Sequence, residues 1–217
     1  MKTNALLASI VSLPLLGFCS GAVAGPESTP IAQLEKQAEP LGNGDAMPYF
    51  LIGDAASEGD HDLSKLLADG PVVITFYRGS WCPYCVNELN AVQKQLKNIT
   101  ATGARVLAIS PEKPSETADL VEQKNLGFLF ATDKDNELAT KLALSFKLDA
   151  KTIKRYKQYG IDLPEANDSK VWQLPIPATY IVDTDGTIAW SFVEEDYSKR
   201  PDYRKVVQKL EEIQQGG

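Results

Sequence analysis

The clearest hydrophobic pattern in the chain is a near-continuous apolar and β-branched run at residues 72–77, which read VVITFY. Such a run is typical of a strand buried in a sheet that is covered on both faces. Further along, apolar residues recur at helical spacing, at Leu89, Val92, Leu96 and Ile99. They predict a helix over residues 83–99 with one apolar stripe. The pattern therefore predicts a strand that leads directly into a helix.

The next segments continue this alternation of strands and helices. Strand-like runs at 105–110 and 128–131 each precede a helical pattern, at 115–127 and 136–142 respectively. This βαβα order predicts an α/β fold, in which helices flank both faces of a sheet that contains parallel strands.

The C-terminal part of the chain predicts a hairpin and a final helix. Strand-like runs at 179–182 and 188–192 flank the sequence Asp-Thr-Asp-Gly at 183–186, and Asp-Gly is a strong hairpin signal. The final helix is predicted over 203–214. Between 146 and 172 the alternation is interrupted by a basic, partly helical stretch and then by a polar loop.

The start of the chain has the pattern of a secretory signal over residues 1–24. A charged start at Lys2 is followed by an apolar run at 5–18 and by small residues up to Ala24, so we expect cleavage after Ala24. The apolar run is too short to span a membrane, which takes about 20 residues. We therefore expect a soluble protein of the bacterial periplasm without stable membrane association. Lipid attachment at Cys19 is the alternative.

Length and composition predict a single acidic domain behind a short extension. Residues 25–45 are rich in Pro, Gly, Glu and Gln and predict an N-terminal extension, with a helical turn around 31–38. One domain is expected over 46–215, which is an ordinary domain size. The chain has 22 basic and 29 acidic residues, a net charge of −7. This balance, without any basic run, argues against nucleic acids and anionic membranes as partners.

The candidate chemistry is concentrated in two cysteines. Beyond the predicted signal, Cys82 and Cys85 are the only cysteines of the chain. One closely spaced pair in an exported protein indicates redox chemistry rather than structural cross-links. The pair lies where the strand at 72–77 leads into the predicted helix. With Pro83 at the first helical position, Cys82 becomes the N-cap residue and Cys85 the third helical residue.

This placement predicts different roles for the two sulfurs. The unpaired N–H groups and the partial positive charge of a helix start favour a thiolate, which lowers the pKa of Cys82 below the usual value of about 8.5. Cys82 is therefore predicted to be an exposed, ionised nucleophile, and Cys85, on the apolar stripe, its shielded partner. The spacing also allows the sulfurs to close a disulfide. We expect this redox-active disulfide, Cys82–Cys85, and no other cofactor.

Three other interpretations of the cysteine pair stay open. A zinc site needs about four ligands, and His61 is the only histidine of the chain, so no metal is expected. The pair could form a static disulfide, or it could be buried as two inert apolar residues. His61 itself lies in a polar stretch and is predicted to be an exposed loop residue rather than a catalytic one.

A longer segment around the cysteines carries a family resemblance. Residues 76–89 read FYRGSWCPYCVNEL, and this segment resembles the peroxiredoxin-like (AhpC/TSA-type) branch of the thioredoxin superfamily that carries a CxxC motif. Residues 44–50 look like the opening strand of peroxiredoxins. Other parts of the chain are also similar to the family, at 110–114, 133–139, 161–164 and 174–183. The resemblance extends over residues 46–214.

The resemblance implies a thioredoxin-like fold, with a central mixed sheet flanked by helices and the CxxC at the start of the main helix. Pro177 matches the cis-proline that faces the cysteines in thioredoxin-like proteins, an ordinary strand-opening proline being the alternative. Aligned on peroxiredoxins, Cys85 takes the position of the cysteine that attacks peroxide. Cys82 stands where those proteins have Thr or Ser. Their active-site arginine aligns with Pro177 and is therefore absent.

Three further side chains are candidates for supporting roles. Arg78 could replace the absent arginine by stabilising a thiolate and a developing oxyanion, or it could be a solvated charge at the strand end. Trp81 could cover the sulfurs and provide a docking surface, or lie at the edge of the core. Glu88, one turn beyond Cys85, could relay a proton to or from that thiol, or be a plain exposed helix residue.

Three functions follow from these observations. The first is a peroxiredoxin-like oxidoreductase that reduces hydroperoxides at a cysteine, which becomes a sulfenic acid. The second cysteine then closes a disulfide, which an external thioredoxin-like donor reopens. The alternative enzyme is a periplasmic protein thiol-disulfide reductase, in which Cys82 attacks a protein disulfide and Cys85 resolves the mixed disulfide. The third possibility is a binding module with a static disulfide.

Overall fold

The computed structural model of this chain describes residues 39–216. The predicted signal, Cys19 and the predicted helical turn at 31–38 lie outside the described residues. Backbone pairing with the rest of the domain is already present at Gly44, whose N–H donates to the carbonyl of Ile188 at 2.9 Å.

The described residues alternate between short strands and helices. The strands are β1 (Leu51–Gly53), β2 (Asp60–Asp62), β3 (Val72–Phe76), β4 (Arg105–Ser110), β5 (Leu129–Thr132), β6 (Ser145–Lys147), β7 (Gln173–Pro175), β8 (Ala178–Val182) and β9 (Ile188–Val193). The helices are α1 (Leu63–Ala68), α2 (Pro83–Ala101), α3 (Pro114–Lys124), α4 (Glu137–Lys141), α5 (Ala150–Gln158), α6 (Leu163–Ala166) and α7 (Tyr203–Gly216). Within residues 39–216, none of these helices has the length and apolar character to cross a bilayer.

Five strands form one mixed sheet in the order β5-β4-β3-β8-β9. The pairs β3–β4 and β4–β5 are parallel, whereas β3–β8 and β8–β9 are antiparallel. This architecture confirms the predicted α/β, thioredoxin-like fold with its central mixed sheet. The predicted hairpin is also present, since the N–H of Gly186 donates to the carbonyl of Asp183 at 2.8 Å between β8 and β9.

Side-chain alternation along β3 divides the core between the two faces of the sheet. Val73 faces α2 and α7, where it packs with Ile181 and Val206. Its neighbours Val72 and Ile74 point to the opposite face and pack with residues of α1 and α4. Every residue of β3 is buried because both faces of the strand are covered, which explains the near-continuous apolar run at residues 72–77. Thr75 is the polar exception, and its hydroxyl is hydrogen-bonded to Glu88.

Two segments differ from their predictions. The opening strand predicted at 44–50 is displaced, because in that range only Ala46 forms an isolated bridge, with Thr187, and the regular ladder begins at Leu51. The segment 146–172 holds more regular structure than predicted, with α5, α6 and the start of a strand pair, β6–β7. Strands of three residues and a helix of four are too short to produce a readable periodicity.

The expected cis-proline is the clearest correction to the fold. The described residues contain no cis peptide bond, so Pro177 is trans. Its carbonyl accepts the N–H of Glu194 at 3.3 Å, and the next residue, Ala178, pairs with Phe76. The trans form continues the chain in an extended path from β7 into β8, and it is also the favoured form of an X-Pro bond, by about 0.5–1 kcal/mol. Pro177 therefore lies at the sheet end nearest the cysteines, as the resemblance implies, but without the cis bond.

Candidate active site

The cysteine pair occupies the predicted junction between β3 and α2. Cys82 is the N-cap of α2 and Pro83 follows it in the first turn, so the predicted cap is confirmed. The backbone N–H of Cys85 donates to Cys82 Sγ at 3.4 Å. This bond uses one of the N–H groups that a helix start leaves unpaired. The local sequence thus directs a helix-start donor at the first sulfur.

The turn before the pair is held in place by two neighbouring features. Gly79 has φ of +146°, and a side chain there would come within 2.4 Å of Trp81 Nε1. The buried Glu112 accepts the N–H and the hydroxyl of Ser80, both at 2.8 Å. Burial is the main cause that raises the pKa of Glu112 to about 7, against the Ser80 hydrogen bonds that lower it. A glycine and a buried carboxyl group therefore fix the path of the chain into Cys82.

Arg78 lies directly against Cys82. Its Nη2 donates to Cys82 Sγ at 3.1 Å and its Nη1 to the hydroxyl of Tyr156 at 3.0 Å. The guanidinium also lies 4.0 Å from the ring centroid of Tyr197. The residue is 4% exposed, so the interpretation as a solvated charge at the strand end is wrong. Buried charges in proteins are normally paired, and here a sulfur is within reach of the cation.

Cys82 is more enclosed than predicted, whereas Cys85 is shielded as predicted. Cys82 and Cys85 are each 0% exposed, so the prediction of an exposed Cys82 is wrong. Trp81 packs against the apolar cluster that contains both cysteines, and its ring meets that of Tyr156 edge-on at 5.6 Å. The covering residue Tyr156 comes from a distant segment, α5, which a local reading of the CxxC motif does not include.

Arg200, which the sequence reasoning missed, lies against the second sulfur. It belongs to the β9–α7 loop, residues 194–202, and its Nη2 donates to Cys85 Sγ at 3.4 Å. Its Nε forms an ion pair of 2.5 Å with Glu88. The family resemblance places an arginine at position 177, where this chain has Pro177. The structure brings a guanidinium to Cys85 from a different element.

Glu88 lies at the centre of a buried polar network on α2. Its Oε1 accepts the hydroxyls of Tyr203 at 3.1 Å, Thr75 at 3.3 Å and Thr179 at 3.4 Å. The residue is 4% exposed, so the alternative of a plain exposed helix residue is wrong. Burial raises the pKa of Glu88, while the charge of Arg200 opposes that rise. In the network described here, Arg200 links the Glu88 carboxylate to Cys85.

The pKa values of the two cysteines are shifted in opposite directions. A hydrogen bond from Cys85 and the charge of Arg78 lower the pKa of Cys82 to about 5, against the effect of burial. The hydrogen bond to Cys82, burial and the neighbouring negative charge raise the pKa of Cys85. The reduced pair therefore consists of a Cys82 thiolate that accepts a hydrogen bond from a Cys85 thiol. Both residues are free cysteines in this structure.

A cleft of about 270 Å³ leads to Cys82. Arg78 and Cys82 lie among its lining residues, together with Arg155, Tyr156 and Tyr197. Cys85 is not among the lining residues. A small reactant in this cleft would therefore meet the ionised sulfur first.

The other candidate residues lie away from this chemistry. His61 is 9% exposed, and its Nε2 lies 2.9 Å from Asp54 Oδ2 and 3.1 Å from the carbonyl of Phe130. The prediction of an exposed loop residue is therefore wrong, because His61 tethers β2 to β5. Among residues 39–216, no three His, Cys, Asp or Glu side chains are grouped as metal ligands would be.

The missed site residues gave only weak sequence signals. Arg200 stands 115 positions from Cys85, and Tyr156 stands 78 positions from Arg78. One signal was available in the sequence. The family's arginine is absent at position 177, and Glu88 lies one turn beyond Cys85 on the helix, so another basic residue was needed near the cysteine. Nothing in the local sequence distinguishes Arg200 from its neighbours Lys199 and Arg204 as that cation.

Comparisons with known proteins agree with this geometry. The profile of the AhpC/TSA family matches residues 43–191. A putative peroxiredoxin of Mycobacterium tuberculosis (strain CDC 1551 / Oshkosh) is 27% identical over 145 residues, which cover 67% of this chain and 80% of that protein. Peroxiredoxin Bcp of Escherichia coli K12 is 22% identical over 153 residues, which cover 70% of this chain and 86% of that protein.

Solved structures share the fold. Peroxidoxin BcpB from Mycobacterium tuberculosis superposes with a TM-score of 0.64 at 20% identity, over 80% of this chain and 98% of that one. A peroxiredoxin Q of Xanthomonas campestris gives a TM-score of 0.60 at 14% identity, over 82% and 99% of the two chains. The family match covers the CxxC turn and the strands of the central sheet as far as residue 191 in β9, and it ends before Arg200. This protein therefore belongs to the AhpC/TSA family.

Proposed function

We propose that this protein is a thiol-dependent peroxidase that reduces hydroperoxides at the Cys82–Cys85 pair. The observation that carries the proposal is the geometry around the Cys82 sulfur, which accepts hydrogen bonds from the Arg78 guanidinium at 3.1 Å and from the Cys85 N–H at 3.4 Å, two donors that stabilise a thiolate. A thiolate, not a thiol, is the nucleophile in cysteine chemistry. Membership of the AhpC/TSA family and the naming of similar proteins as peroxiredoxins support the choice of peroxide as the substrate.

The alignment and the site geometry favour different sulfurs as the attacker. The resemblance places Cys85 at the peroxide-attacking position. Three observations favour Cys82 instead: its lowered pKa, the guanidinium of Arg78 against its sulfur, and its place in the lining of the cleft. We assign the attack to Cys82 and the resolving step to Cys85.

The reaction then proceeds in two steps. The Cys82 thiolate attacks the terminal oxygen of a hydroperoxide ROOH, the O–O bond breaks, and a Cys82 sulfenic acid and an alkoxide form. The alkoxide takes a proton and leaves as the alcohol ROH. In the second step the Cys85 thiol loses its proton and attacks the Cys82 sulfur, the S–O bond breaks, and the departing hydroxide takes that proton to leave as water. The dithiol has then lost two electrons and the hydroperoxide has gained them.

The closed disulfide requires an external reductant to start another cycle. A thioredoxin-like dithiol donor is proposed for this step, because thiol-disulfide exchange with such a donor returns two electrons without another cofactor. The secretory pattern at residues 1–24 supports export to the bacterial periplasm as the setting of the reaction.

The opposite pKa shifts of the two cysteines also favour a second function. An ionised N-cap cysteine followed by a protonated, buried cysteine also suits a thiol-disulfide reductase, in which Cys82 attacks a protein disulfide and Cys85 releases the mixed disulfide. Membership of the AhpC/TSA family and the naming of similar proteins as peroxiredoxins place this function second.

Single cysteine variants test the proposed function. In Cys85→Ser we expect one peroxide to be consumed per chain and a sulfenic acid on Cys82, trapped by dimedone and located by mass spectrometry. The serine hydroxyl still donates a hydrogen bond, so Cys82 stays ionised. Cys82→Ser should react at least about 100-fold more slowly.

Other results would change the assignment. Fast peroxide reaction of Cys82→Ser with loss of reaction in Cys85→Ser would make Cys85 the attacker. If neither the variants nor the wild type reacts faster than a free thiol, and the wild type rapidly reduces insulin disulfides, the protein is the reductase.

A further inference from the structure

Helix α5 carries an unusual concentration of positive charge for this chain. Residues 150–158 include four basic residues and no acidic one, in a chain with a net charge of −7. The four side chains are all exposed, at Lys151, Lys154, Arg155 and Lys157. Here they are called the basic face. A cluster of positive charge on a protein with a negative net charge attracts negatively charged partners to that part of its surface.

The basic face borders the active site. Tyr156, on the same helix, accepts a hydrogen bond from Arg78, which contacts Cys82. Arg155 lies among the residues that line the cleft to Cys82. A partner bound on the basic face would therefore lie over the site where the disulfide must be reopened.

The positive charge of this face is not neutralised within the described domain. Among residues 39–216, no carboxylate lies within ion-pair distance of Lys154, Arg155 or Lys157, and Lys157 lies over the ring of Trp172 at 5.3 Å. In the β9–α7 loop, Glu194 pairs with Lys199. Three of the four side chains of the basic face, Lys154, Arg155 and Lys157, are therefore free to pair with an external surface.

Exposed tyrosines surround the same cleft. Tyr84, Tyr159 and Tyr197 are 43%, 74% and 44% exposed, and all three line it. Tyrosine is enriched at protein–protein interfaces, where it combines apolar area with a polar tip. A helix that binds a membrane surface instead carries an apolar face of Leu, Phe or Trp beside its basic residues, and α5 has only Ile153 of the strongly apolar type. The composition of the rim favours a protein partner.

We propose that the basic face and its tyrosine rim dock the acidic surface of a dithiol protein that reduces the Cys82–Cys85 disulfide. This inference rests on the proposed function. A thiolate of the partner attacks the Cys82 sulfur, the Cys82–Cys85 bond breaks, and Cys85 leaves as a thiolate that takes a proton. The second thiol of the partner then attacks the partner's own mixed-disulfide sulfur and releases the Cys82 thiolate. Two electrons pass to this protein, and the partner is left with a disulfide.

The test uses two synthetic dithiol peptides as probes. Both contain the same central Cys-Gly-Pro-Cys segment, and their distant flanks carry either glutamates or lysines. Each peptide reduces the oxidised protein, and thiols are counted after acid quenching, unfolding and alkylation. The rate of each peptide with hydroxyethyl disulfide corrects for intrinsic thiol reactivity. Two double variants are compared, Lys154→Glu/Arg155→Glu on the basic face and Lys94→Glu/Lys97→Glu on the exposed side of α2, which change the net charge equally.

We expect the acidic peptide to react at least about ten-fold faster than the basic one at low ionic strength. The preference should shrink at about 0.5 M salt, reverse in Lys154→Glu/Arg155→Glu, and persist in Lys94→Glu/Lys97→Glu. Equal corrected rates for both peptides would overturn the proposal. So would equal loss of preference in both variants, which would indicate net charge rather than a docking surface.

Two further arms separate this inference from its alternatives. Oxidation of the reduced protein by hydrogen peroxide tests the proposed function without any peptide. If peroxide is inert but the acidic peptide is preferred, the peroxidase fails while the docking surface stands. A membrane surface is the alternative partner. It would be indicated if the corrected rates of the two peptides were equal and the protein sedimented with phosphatidylglycerol vesicles, with this sedimentation lost only in Lys154→Glu/Arg155→Glu. That result would overturn the proposal.

Discussion

The Nη2 atom of Arg78 lies 3.1 Å from Cys82 Sγ, and the same guanidinium is fixed from its other side by the Tyr156 hydroxyl at 3.0 Å. The cation is therefore positioned before any reactant arrives. Preorganised charge of this kind is more effective than charge that must move during the reaction, because no reorganisation is needed when the sulfur reacts.

Arg78→Met should raise the pKa of Cys82. The variant keeps an unbranched side chain but removes a charged hydrogen bond, which contributes about 1.5–3 kcal/mol, or about 1–2 pKa units. The measurement is the ultraviolet absorbance of the thiolate in the reduced protein as a function of pH. Arg105→Met, at an exposed position of β4, is the matched control. A titration curve identical to the wild type would show that Arg78 does not set the ionisation of Cys82.

Arg200→Met should strongly destabilise the reduced protein. It leaves the Glu88 carboxylate buried without its ion pair, and breaking a buried pair costs about 3–5 kcal/mol in the free energy of unfolding. Urea denaturation at neutral pH measures the change. Arg204→Met is the control in the adjoining turn, because its pair with Asp202 is exposed and contributes about 0–1 kcal/mol.

A double variant separates the lost charge pair from lost packing. Arg200→Met/Glu88→Gln removes both charges, so it should recover part of the stability lost in Arg200→Met. If the double variant is less stable than Arg200→Met, Glu88 does not depend on Arg200 for its charge.

Ionisation of Cys82 makes the stability of the reduced protein depend on pH. The pKa of Cys82 in the folded state, about 5, lies well below that of a free cysteine, about 8.5. The thiolate therefore stabilises the folded state, in full when the pH lies above the pKa of a free cysteine. This contribution is lost as the pH falls towards about 5. The difference in unfolding free energy between the wild type and Cys82→Ser should accordingly grow as the pH rises from about 5 to about 9. A difference that is flat over this window would contradict the assigned thiolate.

Glu112 should give the opposite pH dependence. Burial raises its pKa from 4.5 to about 7, so the folded protein holds a proton that the unfolded chain has already lost between these values. The stability contributed by this proton is present at low pH and is lost as the pH rises through about 7. The difference in unfolding free energy between the wild type and Glu112→Gln should therefore change as the pH rises from about 4.5 through about 7, with the wild type losing stability relative to the variant. The difference between the wild type and the exposed control Glu122→Gln should stay flat. Urea titrations at several pH values measure both differences, and a flat difference for Glu112→Gln would contradict the raised pKa of Glu112.

Much of the fold could be predicted because its signals are local. The buried run at 72–77, the proline at the start of α2 and the Asp-Gly turn at 183–186 each determine structure through neighbouring residues. The different environments of the two sulfurs followed from their positions at the N-cap and one turn into the helix. The prediction that the N-cap faces solvent failed, because the covering rings of Tyr156 and Tyr197 come from other parts of the chain.

Of the two arginines that contact the sulfurs, Arg78 could be predicted from the sequence and Arg200 could not. Arg78 stands four positions before Cys82, so adjacency in sequence made it a candidate. Arg200 reaches Cys85 because α7 packs against α2 and brings the β9–α7 loop to the start of that helix. Such long-range packing leaves no periodic pattern in the sequence. A buried glutamate in need of a cation was the physical requirement, and only the fold could show which cation satisfied it.

The complete enclosure of the two sulfurs has a practical consequence for anyone who handles the protein. A bulky chromogenic reagent added to the native molecule would find little to react with, and a fully reduced sample would be mistaken for an oxidised one. The rate at which such a reagent does react should level off at high reagent concentration, because spontaneous opening of the aromatic cover then becomes the slow step. The limiting rate would thus measure how often the cover over the cysteines opens. An accurate count of the thiols requires that the protein be unfolded first.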